Sequence, residues 1–212
     1  MNGSYDVRDA VGPLRLVFWG GLLCVLDFKI NNFDILNDFL GAILIAVGVA
    51  RLARFPVHER YLGWMLFVKV VAILHVFTAF FAMFMLHPPE PIAFLLTAFH
   101  LATLAATIAF CVAMRWLCMD SGLDRSAESW QLTTILVTVL LAAPSALLAL
   151  VALLSMGRSW NIGLPIIFLL LAAVLVPVIH FFISTSRMRH EAEAGGRYPG
   201  GGFPVVTPPP DE

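Results

Sequence analysis

Residues 61–86 read YLGWMLFVKVVAILHVFTAFFAMFML, an apolar run broken by a single formal charge, Lys69. Its length decides the fold class. A soluble core helix exposes one polar face, and this run has none at helical spacing. In hydrocarbon no water is available to the backbone, so a run of roughly 20 or more apolar residues must close its own hydrogen bonds as a helix. The run therefore predicts a transmembrane helix.

Five further runs flank it. One extends from about Pro13 to Lys29 and a second from about Asp34 to Leu52, joined across Asn31 and Asn32. Beyond the turn His87-Pro88-Pro89-Glu90-Pro91 a fourth run ends near Cys118; the last two span about Trp130 to Met156 and Trp160 to Ile183. Composition agrees: 60% of the 212 residues are hydrophobic and 13% charged, against about a quarter charged in soluble domains. Such a surface requires the lipid bilayer as its main partner. A net charge of −1 supplies no basic face for phosphate neutralisation, so no nucleic-acid role is expected. The expected architecture is an all-α, six-helix bundle at residues 13–186, with a cytoplasmic segment at 1–12 and a disordered Gly/Pro-rich cytoplasmic tail at 187–212. Asp6, Asp9 and Asp27 around the first run argue against a removable signal peptide.

Basic residues set the expected sidedness, because Lys and Arg near helix ends are retained in the cytoplasm. Arg8, Arg15, Arg51, Arg54, Arg60, Arg115, Arg125, Arg187, Arg189 and Arg197 fall on one side of a six-span drawing, and Lys29 and Arg158 on the other. Both termini are then cytoplasmic. Trp64, Trp116, Trp130 and Trp160 sit near the drawn helix ends, where indoles favour the interface.

Function is less legible. No GxSxG, HExxH or GxxxxGK[ST] motif is present, so an enzyme is the least expected class. Cys24, Cys111 and Cys118 form no CxxC pair and read as free thiols. Ionisable groups inside apolar runs are the candidate site, because charge in a bilayer is costly. Asp27, Lys29, Asp34 and Asp38 surround the junction of the first two helices, with Lys69, His75 and His100 in the next two. Together they could form a polar pathway for cations or protons. The plainer reading is structural: Asp34 and Asp38 complement the dipole at a helix start, Asn32 caps it, Lys29 pairs locally, and Lys69 snorkels. His75 and His100 lie at similar depth on antiparallel helices and could ligate haem or a metal; without further ligands at fixed spacing, no cofactor is the expected state. Ala42, Ala46 and Ala50, beside Gly41 and Gly48, and Ala98, Ala102, Ala105, Ala109 and Ala113 suit close helix contact, within this chain or with a helix partner or second copy. Pro144, Pro165 and Pro177 permit kinks.

The segment Asn32-Phe33-Asp34-Ile35-Leu36-Asn37-Asp38-Phe39-Leu40-Gly41-Ala42-Ile43-Leu44-Ile45 resembles a stretch of small uncharacterised bacterial multi-pass membrane proteins, similar to Phe-Asp-Ile-Leu-Pro-Asp-Phe-Ile-Gly-Tyr-Ile-Leu-Ile. Asn37 replaces the proline there and Ala42 an aromatic residue. The resemblance covers the first two helices and implies a bacterial inner-membrane location, with no activity attached. Three functions are carried forward: a small transport or accessory membrane protein using the polar cluster; a non-catalytic scaffold whose tail binds a cytosolic protein; and an intramembrane haem or metal protein using His75 and His100.

Overall fold

Successive apolar segments joined by short connections pack as antiparallel neighbours, and the computed structural model shows that arrangement. It describes residues 7–25, 35–55, 57–82, 89–145 and 164–194. Six α-helices, and no strand, occur among these residues: α1 (Val11–Val25, entered through a 3-10 turn at Val7–Ala10), α2 (Ile35–Leu52), α3 (Glu59–Ala82), α4 (Glu90–Asp120), α5 (Asp124–Leu136) and α6 (Leu164–Glu193). Each helix contacts the next in sequence, and α6 returns to α1, so the order closes into a ring. Phe18 of α1 and Phe182 of α6 meet edge to face, with ring centroids 4.1 Å apart.

Among the described residues, three stretches are long and apolar enough to cross a membrane: Glu59–Phe81, Phe94–Asp120 and Asp124–Ser145. Their outward faces are what lipid requires. Leu62, Leu66, Val70, Ile73, Phe77 and Phe81 follow helical spacing along one face of α3, all exposed, and Phe94 and Leu95 of α4 are 64% and 67% exposed. A contiguous apolar face of this extent is unusual on a soluble monomer.

The ends of the helices are tied together at one end of the ring. The Tyr61 hydroxyl donates to the Leu52 carbonyl at 2.8 Å, joining α2 to α3, and the backbone N–H of His58 donates to Asp120 at the end of α4. Ser121-Gly122-Leu123 turns α4 into α5: Leu123 N–H reaches back to the Cys118 carbonyl and Gly122 N–H to that of Met119. This is the Schellman arrangement, and it places Gly122 at φ 69°, a conformation that a Cβ opposes. Arg8 donates to the Ala192 carbonyl at 3.3 Å, so the first and last described turns are neighbours. Arg8, Arg51, Arg54, Arg60, Arg115, Arg125, Arg187 and Arg189 belong to this same end; Lys29, Arg158 and Arg197 lie outside the described residues.

Two expectations change. Trp130 is not an interfacial anchor: it is fully buried against Phe110 and Phe181, with centroids at 6.0 and 5.3 Å. The reason is that α5 begins at Asp124, earlier than expected, which draws Trp130 into the core. Helix six does not stop near Ile183, and the residues from Arg187 to Glu193 are helical. They are held there by Arg8 and by Ser126, whose N–H and hydroxyl both donate to Glu191. The tail beyond 194 lies outside the described residues, as do the ends of the first and fifth apolar runs and the start of the sixth.

Small residues hold α1 against α2. A Cβ added at Gly20 would fall 2.6 Å from the Gly41 carbonyl oxygen, and one at Gly48 would fall 2.7 Å from the Pro13 carbonyl oxygen. Ala42 is fully buried. In α4 the small-residue stripe divides: Ala109 and Ala113 are buried in the core, whereas Ala98 and Ala105 are exposed. Beyond Leu136 the fifth helix widens into a π turn at Val137–Ala142, with Ala143 N–H donating to the Thr138 carbonyl five residues back. Pro144 follows immediately; it has no N–H for a normal α bond, and the widened turn accommodates it.

Candidate functional site

Within the ring lies a half-open cavity of about 430 Å³, lined by residues of α1, α2, α3, α4, the π turn and α6. Phe18 and Cys24 come from α1, Ile45 from α2, His75 from α3, His100 and Phe110 from α4, Val137 from the π turn, and Phe181 and Phe182 from α6. Its walls are mainly aliphatic and aromatic. The threonine hydroxyls in its wall are satisfied within α4: Thr103 donates to the Phe99 carbonyl at 3.0 Å and Thr107 to the Thr103 carbonyl at 2.9 Å. The thiol of Cys24 lies 3.7 Å from the Asp38 carbonyl oxygen.

Two imidazoles therefore carry most of the polar capacity in the wall. His75 stacks on Phe99, with centroids 6.0 Å apart and planes 13° apart. Its Nδ1 is buried without a hydrogen-bond partner, which is uncommon enough to require explanation. His100 is exposed and close enough to His75 for electrostatic contact, as is Asp38 from the first turn of α2. The helices thus bring Asp38, His75 and His100 to one region, near Cys24. Lys69 is half-buried on α3 but is not among the cavity residues. Asp27, Lys29 and Asp34 lie outside the described residues. No group of three or more His, Cys, Asp and Glu side chains is placed to hold a metal ion among the described residues.

Sequence reasoning passed over a second polar cluster. Between α5 and α6 the Thr133 hydroxyl lies 2.8 Å from His180 Nδ1 and 2.7 Å from the Ser184 hydroxyl, and Ser184 lies 2.8 Å from Ser129. Ser129, Thr133 and Ser184 are buried. The signal was available: Ser129 and Thr133 are four apart on one helix, His180 and Ser184 four apart on its neighbour, so each pair shares a face. Its chemistry is cohesive. Each hydroxyl finds a partner, and the cluster ties α5 to α6.

At the basic end, Arg60 lies over the Trp116 ring at 5.6 Å, and His58 stacks on the same indole. The guanidinium and the indole are therefore in cation–π contact at that end of the ring.

No family model, curated protein or solved structure matches the chain. The residues themselves carry the functional argument.

Proposed function

We propose that this chain is a six-span membrane protein with both termini in the cytoplasm, of a bacterial inner membrane, and that it serves small-solute transport or an accessory role there. Its working interior is the central cavity with Asp38, His75 and His100 as the polar pathway. One observation carries this reading: the helices surround a cavity whose described wall is apolar apart from two imidazoles, two threonines and Cys24, while the arginines among the described residues gather at one end. A bundle built only as a scaffold has no need to leave an unpartnered imidazole beside an interior space, since such a group is costly unless something compensates it. Adjacency of the Arg8 turn and the end of α6 supports an even number of crossings. The resemblance of residues 32–45 to bacterial membrane proteins supports the location.

Purified chain reconstituted in liposomes containing a pH-sensitive dye tests the pathway. Proton leak or exchange is expected, reduced by Asp38→Asn and by Asp27→Asn; a trace that neither substitution alters removes the transport reading. Reporter fusions at the two termini test sidedness, and termini on opposite faces would overturn it.

A further inference from the structure

We propose that the seam between α1 and α6 seats an anionic phospholipid, with its phosphate at Arg15 and one acyl chain passing Phe18 and Phe182 into the central cavity. The inference rests on the reading of the bundle as membrane-spanning and names an occupant for its interior.

The cavity sets the first requirement. Its half-open space of about 430 Å³ has mainly aliphatic and aromatic walls, and Thr103 and Thr107 have already donated their hydroxyl hydrogens to α4 carbonyls. Water filling it would find few of the polar partners that hold water inside a protein. Left empty, the lining would forfeit dispersion contacts. The molecule present in excess around a membrane bundle is hydrocarbon, and a lipid tail is as apolar as leucine, so a chain moving from the bilayer to this wall gives up little.

The seam sets the path. Arg15, Phe18 and Leu22 share one face of α1 by their spacing, as Phe182, Arg189 and Glu193 share one face of α6. Three observations bring these faces together: Arg8 reaches the Ala192 carbonyl, the charge of Arg15 acts on Glu193, and Phe18 meets Phe182 edge to face. Glycine contacts close α1 on α2, and the Ser129, Thr133 and Ser184 hydroxyls close α5 on α6. Below the Arg8 turn, α1 and α6 meet instead through two half-buried rings. Phe18, Leu22 and Phe182 also line the cavity, so this seam borders the space to be filled.

Charge selects the headgroup. Arg15 is exposed and makes no hydrogen bond or ion pair among the described residues. Glu193 is already bonded to Arg189 at 2.8 Å, and Glu191 to Ser126. With Arg8 and Arg187 set against Asp9, this end of the seam stays positive. A phosphate there gains charge-assisted hydrogen bonds from a guanidinium. Arg15 and Leu22 are about 10 Å apart along the helix. That is within the roughly 15 Å depth of one leaflet's hydrocarbon, so a lipid held by Arg15 has its chain beside the cavity wall.

Trp130 supplies the reporter. It is fully buried and packs on Phe110 and Phe181, two of the rings that line the cavity. The full chain carrying Trp19→Phe, Trp64→Phe, Trp116→Phe and Trp160→Phe is placed in phosphatidylcholine nanodiscs, into which phosphatidylglycerol with a dibrominated stearoyl chain is titrated; bromine quenches an indole only at close range. Trp130 emission should fall. One arginine near an anionic headgroup is worth about fivefold in binding, so half-quenching should need about fivefold less of this lipid than of phosphatidylcholine with the same brominated chain. Arg15→Gln should erase that preference and Arg15→Lys should keep it. Ala106→Phe, which fills the cavity from α4, should remove quenching by either lipid; Val71→Phe does the same from α3 if the first variant fails to fold. An unquenched Trp130, equal quenching by the two lipids, a preference retained in Arg15→Gln, or quenching unchanged in the filled cavity would each overturn the proposal. Liposome flux that persists without Trp130 quenching removes the lipid site alone, whereas quenching without flux removes the transport reading and leaves the site.

Discussion

The carboxylate of Glu191, near the end of α6, accepts hydrogen bonds from both the backbone N–H and the hydroxyl of Ser126 in the first turn of α5, the former at 2.9 Å. The first four N–H groups of a helix have no partner inside it, and the N-terminus carries partial positive charge. Leu123, at the N-cap position of α5, offers no side-chain acceptor. A residue 65 positions away in sequence thus does what a local Ser or Asp usually does. Glu191→Ala should destabilise the bundle by about 1–2 kcal/mol, the scale of a lost charged cap, and Glu191→Gln, which keeps an acceptor, by less. Reversible unfolding in SDS followed by circular dichroism measures both; equal losses would show that the carboxylate charge contributes nothing.

The α5–α6 polar cluster makes a second prediction. Thr133 bonds to His180 and Ser184 and also returns a bond to the Ser129 carbonyl at 3.0 Å. Thr133→Val removes all three while nearly preserving shape. Interhelical hydrogen bonds in membranes average about 0.6 kcal/mol each, so the expected loss is about 1–2 kcal/mol in the same unfolding measurement. Ser129→Ala, which leaves the Thr133–Ser184 bond intact, should cost about half as much.

How these features were hidden or visible in the sequence has a physical basis. Apolar run length fixed the helices at Tyr61 and beyond the Pro-rich turn because the bilayer leaves the backbone no alternative. Helical phase was not available from such runs, since lipid-facing and core-facing positions are both apolar. Ala98 and Ala109 look alike in sequence, yet one faces outward and the other is buried. For the same reason His75 and His100 could be placed at one depth but not on one cavity. Glu191 read as part of the tail at 187–212 because the N-terminal turn of α5, its partner, is fixed only by tertiary structure.

A pH response follows at the end of α6. Arg189 Nε donates to Glu193 at 2.8 Å, and this hydrogen bond, with the charges of Arg189, His190 and Arg15, holds the Glu193 carboxyl below its ordinary value. A lowered folded-state value means that the contribution is present above the ordinary glutamate range and is lost as pH falls through the depressed value. Because both side chains are exposed, the effect should be confined to fraying of the last turn. NMR titration of the Glu193 carboxyl should show a midpoint below that of an unstructured glutamate, rising toward it in Arg189→Gln. An identical midpoint in the two chains would disprove the pairing.

The close approach of α1 and α2 gives the sharpest stability prediction. A Cβ on Gly41 would fall 2.7 Å from the Gly20 carbonyl oxygen and 2.6 Å from the Cys24 sulfur. The thiol can rotate away, but the carbonyl belongs to the backbone of α1, so the helices themselves must separate. Overfilling a well-fitted contact costs about 1–3 kcal/mol, while replacing glycine with alanine inside a helix returns up to about 1 kcal/mol. Gly41→Ala should therefore be net destabilising, and Gly20→Ala likewise, because its Cβ meets the Gly41 carbonyl oxygen. Gly63→Ala is the control: nothing lies within 4 Å of its Cβ, so only the helix-propensity gain remains and stability should stay level or rise. Unfolding curves in which all three variants behave alike would mean that α1 and α2 do not meet through these glycines.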